Sequence, residues 1–307
     1  MAFLSSPAES TIGAKPPRQR PLINRDKLDG LYATYNHRDF VHPDPLEFLY
    51  HYPALQDREI VALIASSLAY GRVAQILKSV SSVLCRMGPS PFHFVMTSPL
   101  ESLLAAFSDF KHRFTAGREL AWMLWGARCA IEKHGSLLGC FLAGWNEKES
   151  TVLPGLSAFV KAFPVNSAGC WGGFLLPSPA NGSACKRLNL FMRWMVRQDD
   201  VDPGGWGQIP PSKLIVPLDV HMHRISLGFR LTNRKQADLR TAVEVTQAFK
   251  KVAPEDPVRY DFALTRLGIR PDTDEAGLLA VCGKRTKKSV LPQTHTQTSK
   301  SWVSSRP

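Results

Sequence analysis

The chain has 307 residues, 44% of them hydrophobic, so it can bury a sizeable core in one large domain or two small lobes. No apolar run approaches the ~20 residues that a membrane-spanning helix needs, and the first residues do not resemble a signal peptide. Six scattered cysteines without a C-x-x-C motif argue against a disulfide framework, a zinc site or an iron–sulfur cluster. We therefore expect a cytoplasmic protein with reduced thiols.

Half of the net charge of +12 comes from the C-terminal end of the chain, because residues 284–307 carry six Lys or Arg and no acidic residue. Residues 1–20 are rich in Ser, Pro and Ala. Both ends are predicted to be disordered tails around one folded domain at residues 21–283. The basic tail is expected to attract DNA in a salt-dependent way.

Helical periodicity dominates the region between these tails. Apolar residues at helical spacing follow Pro45 and recur between Asp57, a predicted N-cap, and Gly88, a predicted helix end. Gly71 is predicted to separate two helices within that stretch. Further helices are predicted at residues 118–135, 149–163, 238–252 and 256–268. Because strand alternation is almost absent, the predicted fold class is all-α.

A Gly-, Pro- and Ser-rich loop leads into the helical stretch "NGSACKRLNLFMRWMVR". Gly182 and the small residues after it let the backbone turn tightly, and helical spacing begins near Cys185 and Lys186. Free N–H groups at a helix start favour an anion such as phosphate. A lysine there is unusual, because the helix dipole disfavours a cation. Taken alone, Lys186 is either an ordinary surface lysine or a residue with a chemical role.

A second loop, "DDVDPGGWGQIPPSKLIVPLD", leads to Asp219. Asp is a preferred N-cap and helical spacing resumes after it, so Asp219 is predicted to cap a helix. His221 and His223 would then lie about 200° apart around the helix axis and could not share one ion with Asp219. In a strand all three would share a face, as a metal-dependent hydrolase would need. The helical surroundings favour the cap, so no metal site is predicted.

Two segments resemble the helix-hairpin-helix DNA glycosylases. "VPLDVHMHRISLGFRLTNR" is similar to the segment "VDTHIFRVCNR" of endonuclease III-like proteins, and "NGSACKRLN" is similar to their hairpin and following helix, "PGVGRKTAN". The resemblance implies a two-lobed helical fold. It also implies that Lys186 is the nucleophile, Asp219 the catalytic aspartate and Asn189 the asparagine after the lysine. Gly182 takes the place of the first hairpin glycine, and Ala184 replaces the second.

The resemblance covers roughly residues 45–270 and implies further contacts with DNA. Tyr70, Arg72 and Gln75 fall where the family inserts side chains into the base stack, although a core or surface role is equally open for each. Arg187 and Lys213 are candidates for phosphate contacts, with a solvated surface as the alternative. Lys213 is also a rival nucleophile, because it lies six residues before Asp219.

Taken whole, the chain looks closer still to an uncharacterised bacterial family, the domain of unknown function 2400 family, which brings no established activity. Asp219 follows Lys186 by 33 residues, a longer interval than in the common glycosylases. Such an insertion resembles the archaeal 8-oxoguanine DNA glycosylase branch. The missing second hairpin glycine weakens the inference of phosphate binding, and the C-terminal iron–sulfur cysteines of some glycosylases are absent.

The resemblance implies a role in DNA repair by base excision. The expected activity is a DNA glycosylase and β-elimination lyase that removes an oxidised base, with 8-oxoguanine as the candidate, through a lysine Schiff base. Lys186 and Asp219 should then approach within a few ångströms across one cleft. The expected partner is damaged duplex DNA, bound by a monomer without a cofactor. The rival hypotheses are a non-catalytic DNA-binding protein of the same fold and the metal-dependent hydrolase.

Overall fold

The computed structural model describes residues 22–163 and 174–269, with side chains up to residue 266. Both predicted tails lie outside these residues. The described part is predominantly helical, and its one sheet is a two-stranded antiparallel hairpin, β1 (Lys111–His112) and β2 (Thr115–Ala116). The α-helices are α1 (Arg25–Tyr35), α2 (Leu55–Ser67), α3 (Val73–Met87), α4 (Pro91–Thr97), α5 (Leu100–Ala106), α6 (Gly117–His134), α7 (Leu137–Ala143), α8 (Leu153–Ala162), α9 (Lys186–Val196), α10 (Val220–Gly228), α11 (Leu239–Lys250) and α12 (Asp261–Ile269). Short 3-10 helices lie at Arg38–Phe40, Pro45–His51, Pro179–Asn181 and Pro211–Lys213. The prediction of an all-α fold class is confirmed at this level.

Most helix ends lie where the sequence predicts them. α2 ends before Gly71 and α3 begins after it, and Gly88, with a φ of 72°, ends α3. Gly135 ends α6 in the left-handed conformation that glycine adopts most easily. The predicted N-cap at Asp57 is wrong, because the N-cap of α2 is Ala54, three residues earlier. The Asp57 side chain instead accepts hydrogen bonds from the start of α4, at the Ser90 hydroxyl (2.8 Å) and a backbone N–H (2.9 Å).

Helix α2 is the central element of the core. Its last nine residues, from Glu59 to Ser67, are all buried, which is the pattern of a helix enclosed on every side. It packs against α9, α4 and the 3-10 helix Pro45–His51. The side chains of Trp194 and Trp206 are fully enclosed in the same core. The core therefore fixes the position of α9, the helix that begins with Lys186.

One buried carboxylate links three segments of this core. Glu59 on α2 accepts hydrogen bonds from the backbone N–H groups of Leu137 (3.2 Å) and Leu138 (3.1 Å), the first residues of α7. It also accepts one from the indole N–H of Trp206 (2.8 Å). Burial raises the pKa of Glu59, whereas these three donors lower it. A helix start and an indole thus satisfy a carboxylate that would be costly to bury alone.

Within the described residues, none of the helices combines the length and the apolar character needed to cross a bilayer. The four cysteines that the structure describes are all unpaired: Cys85, Cys129, Cys140 and Cys185.

Candidate active site

The entry into α9 is a tight turn. The 3-10 helix Pro179–Asn181 ends at Gly182, whose φ of 75° lies in the left-handed region. Cys185, just before the helix, also has a positive φ, of 48°, which is uncommon for a residue with a side chain. The Gly182 carbonyl accepts a hydrogen bond from the Leu239 N–H (3.1 Å) at the start of α11. The turn is thereby tied to a second helix, and α9 begins at Lys186, as predicted.

The entry into α10 confirms the predicted helix cap. Asp219 is the N-cap, and its Oδ1 accepts a hydrogen bond from the backbone N–H of Met222 (2.8 Å). The preceding extended segment is held by a bond from the Val216 N–H to the Thr246 hydroxyl (3.0 Å) on α11. Oδ1 is occupied by the cap, so Oδ2 is the oxygen left to face the cleft.

The two helix entries bring Lys186 and Asp219 together. Lys186 Nζ lies 3.4 Å from Asp219 Oδ2 and 3.3 Å from the backbone oxygen of Ala69, to which it donates a hydrogen bond. The Lys186 side chain is 32% exposed and that of Asp219 is 20% exposed, so both can be reached from solvent. The expectation that the ends of these side chains approach within a few ångströms is confirmed.

The pair lies at a cavity of about 340 Å³. This volume is in the range of pockets that hold small molecules. The cavity lies among α9, the ends of α10 and α12, and the connections around Pro43 and Gly71. Its charged and aromatic lining residues are Asp44, Lys186, Arg193, Trp194, Asp219, His221, Asp261 and Arg266.

Buried charges form part of the cavity wall. Asp261 Oδ2 accepts a hydrogen bond from the Arg193 guanidinium, and Arg266 donates to Asp44 (2.6 Å). Burial raises the pKa of Asp261 to about 6, although the Arg193 charge acts against it. Asp261 Oδ1 is buried without a hydrogen-bond partner, and so is Nδ1 of His221. Two cavity-lining residues therefore retain unused hydrogen-bonding capacity.

The two histidines after Asp219 separate as a helix requires. His221 lines the cavity, whereas His223 Nε2 contacts the Arg234 carbonyl (2.8 Å) outside it. In the described part of the chain, no group of three or more His, Cys, Asp or Glu side chains could hold a metal ion. The geometry that the hydrolase hypothesis needs, with all three side chains on one face of a strand, is absent because the segment is helical.

Lys213, the rival nucleophile, lies apart from the Lys186–Asp219 pair. It ends the 3-10 helix Pro211–Lys213, and its ammonium donates to the Glu149 carbonyl (2.7 Å). It is not among the residues that line the cavity. The structure therefore places Lys186, rather than Lys213, next to Asp219.

The other residues of the segment that resembles the glycosylase hairpin, at the entry into α9, mainly make contacts that support the fold. Asn189 is buried and donates its amide to the Ala184 carbonyl (3.0 Å), which holds the turn onto α9. Arg187 donates to the Ser67 carbonyl (3.1 Å), and burial lowers its pKa to about 10. Of this set, Gly182 is the residue with an open surface, since nothing lies within 4 Å of the place where a side chain would begin.

The predicted DNA-inserting residues differ from one another in environment. Tyr70 is partly buried, and its hydroxyl lies 2.8 Å from the His112 carbonyl. Arg72 is the exposed residue before α3, and Gln75 is exposed and donates to Ser79 Oγ (3.3 Å). Tyr70 is thus tied into the structure, whereas Arg72 and Gln75 remain on the surface.

Sequence reasoning missed most of the cavity wall. Asp44, Asp261 and Arg266 carry no motif, and 222 positions separate the paired residues Asp44 and Arg266. The one available signal was the acidic residue inside "VRYDFALTRLG", an unusual choice among apolar neighbours. It does not by itself distinguish a surface position from a buried one.

Residues 44–270 match the family described as "Protein of unknown function (DUF2400)". The match extends over most of the chain, so the protein belongs to this family. It includes every residue that lines the cavity except Pro43. No match was found among curated proteins or among solved structures.

Proposed function

We propose that this protein is a helix-hairpin-helix DNA glycosylase and lyase that removes an oxidised base, with 8-oxoguanine as the leading candidate. The observation that carries the proposal is the 3.4 Å approach of Lys186 Nζ to Asp219 Oδ2 beside a cavity of about 340 Å³. An amine next to a carboxylate at a cavity mouth is what attack on a deoxyribose C1′ requires. The resemblance of both helix entries to that superfamily supports the same conclusion.

The Lys186–Asp219 pair can carry out each step of this chemistry. Asp219 accepts a proton from the Lys186 ammonium, and the free amine attacks C1′ while the C1′–N bond to the base breaks. The electron pair of that bond leaves with the base, which takes up the proton. Asp219 then passes a proton from Nζ to O4′ as the C1′–O4′ bond breaks, which opens the sugar ring and leaves an iminium between Nζ and C1′. Asp219, again unprotonated, accepts the C2′ proton, and departure of the 3′ phosphate cleaves the strand.

The cavity provides groups that can bind a flipped base. A base inside a duplex is out of reach, so it must leave the stack and enter a pocket. The spare oxygen of Asp261 and the spare ring nitrogen of His221 can form hydrogen bonds with its edge. A site with unsatisfied polar atoms rejects a base that leaves them unpaired, which is a physical basis for choosing one lesion.

The test is borohydride trapping on a panel of duplexes that carry 8-oxoguanine, thymine glycol or an abasic site. Borohydride reduces the imine to a stable amine, so we expect the wild-type protein to form a covalent adduct with DNA. Lys186→Gln should abolish the adduct while DNA binding survives, and Lys213→Gln is the matched control that should retain it. An adduct with Lys186→Gln would place the nucleophile elsewhere, with Lys213 as the next lysine to test.

The rival function is DNA binding without chemistry. Ala184 stands where the resembling family has its second hairpin glycine, and this departure favours the rival. The same panel separates the two functions. If the wild-type protein binds DNA but forms no adduct with any lesion, the binding protein becomes the better explanation.

A further inference from the structure

The β1–β2 hairpin presents an aromatic side chain to solvent. Phe114 lies in the two-residue turn between the strands and is 76% exposed. Its neighbour Arg113 has a φ of 54°, although Gly, Asn or Asp usually occupies such a turn position. A residue with a side chain rarely adopts this conformation, which persists only where the surroundings enforce it.

Buried polar contacts hold the base of this hairpin. The Tyr70 hydroxyl lies 2.8 Å from the His112 carbonyl and 2.7 Å from the Thr115 hydroxyl, so it contacts both strands. The His112 ring is fully buried, with Nδ1 2.9 Å from Ser79 Oγ and Nε2 3.1 Å from the Tyr70 carbonyl. The turn is therefore an exposed tip on a rigid base.

Phe114 is the outer end of a row of aromatic side chains. Its ring meets that of Phe174 edge to face with centroids 6.2 Å apart, and Phe174 meets Tyr70 in the same way at 5.1 Å. Phe174 is itself 45% exposed. The Arg187 guanidinium lies 4.4 Å from the Phe174 ring centre, and the Arg113 guanidinium lies 5.4 Å from that of Phe114. Apolar surface and positive charge thus occur together.

This row borders the cavity. Ala69 and Gly71, on either side of Tyr70, both line it, and Arg187 directly follows Lys186. The Arg113 side chain lies against Gly71. A Cβ atom on residue 71 would lie only 2.6 Å from Cδ of Arg113. The absence of a side chain at Gly71 therefore lets the hairpin approach the mouth of the cavity.

We propose that Phe114, supported by Phe174, enters the DNA duplex beside the cavity and stacks on the base that is left unpaired when its partner is flipped out. This inference rests on the proposed glycosylase function and assigns the inserted side chain to Phe114, whereas the resemblance points to Tyr70, Arg72 and Gln75. Apolar side chains inserted between base steps are a known means of unstacking DNA, and aromatic rings stack on any base. The exposed Arg113 guanidinium beside Phe114 favours a polyanion over an apolar protein surface, because it suits a flanking phosphate.

The test uses a duplex that contains a tetrahydrofuran abasic analogue opposite 2-aminopurine, whose fluorescence reports stacking. Wild-type protein should change this fluorescence and bind the abasic duplex more tightly than an intact one. Phe114→Ala should remove the fluorescence change and weaken binding to the abasic duplex by about 5- to 150-fold, since one stacked base contributes ~1–3 kcal/mol. Phe114→Trp should retain both. Leu227→Ala, which truncates another exposed apolar side chain, is the matched control and should behave as wild type.

The possible failures are distinguishable. If the wild-type protein forms borohydride adducts but Phe114→Ala leaves affinity and fluorescence unchanged, the stacking role is overturned and the glycosylase function stands. A partner of another class, such as a protein, would then be the occupant of the hairpin. If the wild-type protein forms no adduct and does not distinguish the abasic duplex from the intact one, both proposals fail. Because Phe114 is exposed, the Ala variant should fold normally, as a melting curve would verify.

Discussion

Helix α9 carries cations in two contrasting environments. At its start, the partly exposed Lys186 ammonium contacts one carboxylate oxygen, of Asp219, and one backbone carbonyl, of Ala69. At its other end, Arg193 on the helix and Arg197, the residue that follows it, are buried and share the carboxylate of Asp202. Arg193 also binds Asp261, and Arg197 also binds Asp199 (2.7 Å) and Asp256 (2.8 Å). One helix thus joins an open ion pair to an enclosed network.

The contrast matches the chemistry of the two side chains. A guanidinium keeps its proton at any ordinary pH and has five donors, so it suits a buried position among several carboxylates. An ammonium can lose its proton and become a nucleophile. The open end of α9 is therefore suited to reaction, and the enclosed end is suited to stability. The three predictions below test this division and are ranked by their expected effect on the free energy of unfolding.

Arg197→Gln should have the largest effect on stability. It would leave Asp202 buried with one guanidinium fewer, and breaking a buried ion pair typically costs about 3–5 kcal/mol. Lys186→Gln, at the open end of the same helix, should cost less than about 1 kcal/mol. Urea denaturation of both variants measures the difference. Equal losses from the two variants would remove the distinction between the two ends.

Asp261→Asn should have an intermediate, pH-dependent effect. The pKa of Asp261 in the folded protein, about 6, lies above the ordinary value for aspartate. The contribution of this carboxyl group to the free energy of unfolding is therefore fully present below about pH 4 and is lost as the pH rises through about 6. The loss should not exceed about 3 kcal/mol, and the amide variant should not show it. Urea midpoints from pH 4.5 to 7.5 would test this. Parallel curves for wild type and variant would contradict it.

Asp219 should show the smallest effect on stability and a clear effect on activity. Asp219→Ala removes the helix cap and should cost about 1 kcal/mol, whereas Asp219→Asn keeps a good cap and should cost less. Both remove the proton acceptor, so both should slow base release by about 100-fold or more. Melting curves and single-turnover assays separate the cap from the charge. Normal base release by the Asn variant would show that the carboxylate is not required.

The sequence predicted the features that depend on local structure. The cap at Asp219 and the helix start at Lys186 follow from side-chain preferences within a few residues, and Gly71 and Gly88 mark helix ends for the same reason. The approach of Lys186 to Asp219 was expected from the resemblance, because no local pattern spans the 33 residues between them.

The remaining features depend on contacts that no local pattern encodes. Asp261 becomes part of a cavity wall only because α12 packs next to α10. The β1–β2 hairpin is too short to show strand alternation, and Arg113 occupies a turn position where Gly or Asn would have given a signal. Asp57 looked like an N-cap because aspartate often caps the helix that directly follows it in the sequence. Its hydrogen bonds are instead made to the start of another helix, α4.

The connection between α2 and α3 places three consecutive residues in three separate roles. The Ala69 carbonyl holds Lys186, Tyr70 holds both strands of the hairpin, and Gly71 makes room for Arg113. Connections between helices are ordinarily where a chain tolerates added residues. An added residue here would shift the backbone by up to about 3.8 Å and separate the acceptor of the lysine from the anchor of the hairpin. Although this connection lies near the surface, it should be among the segments least able to change in length.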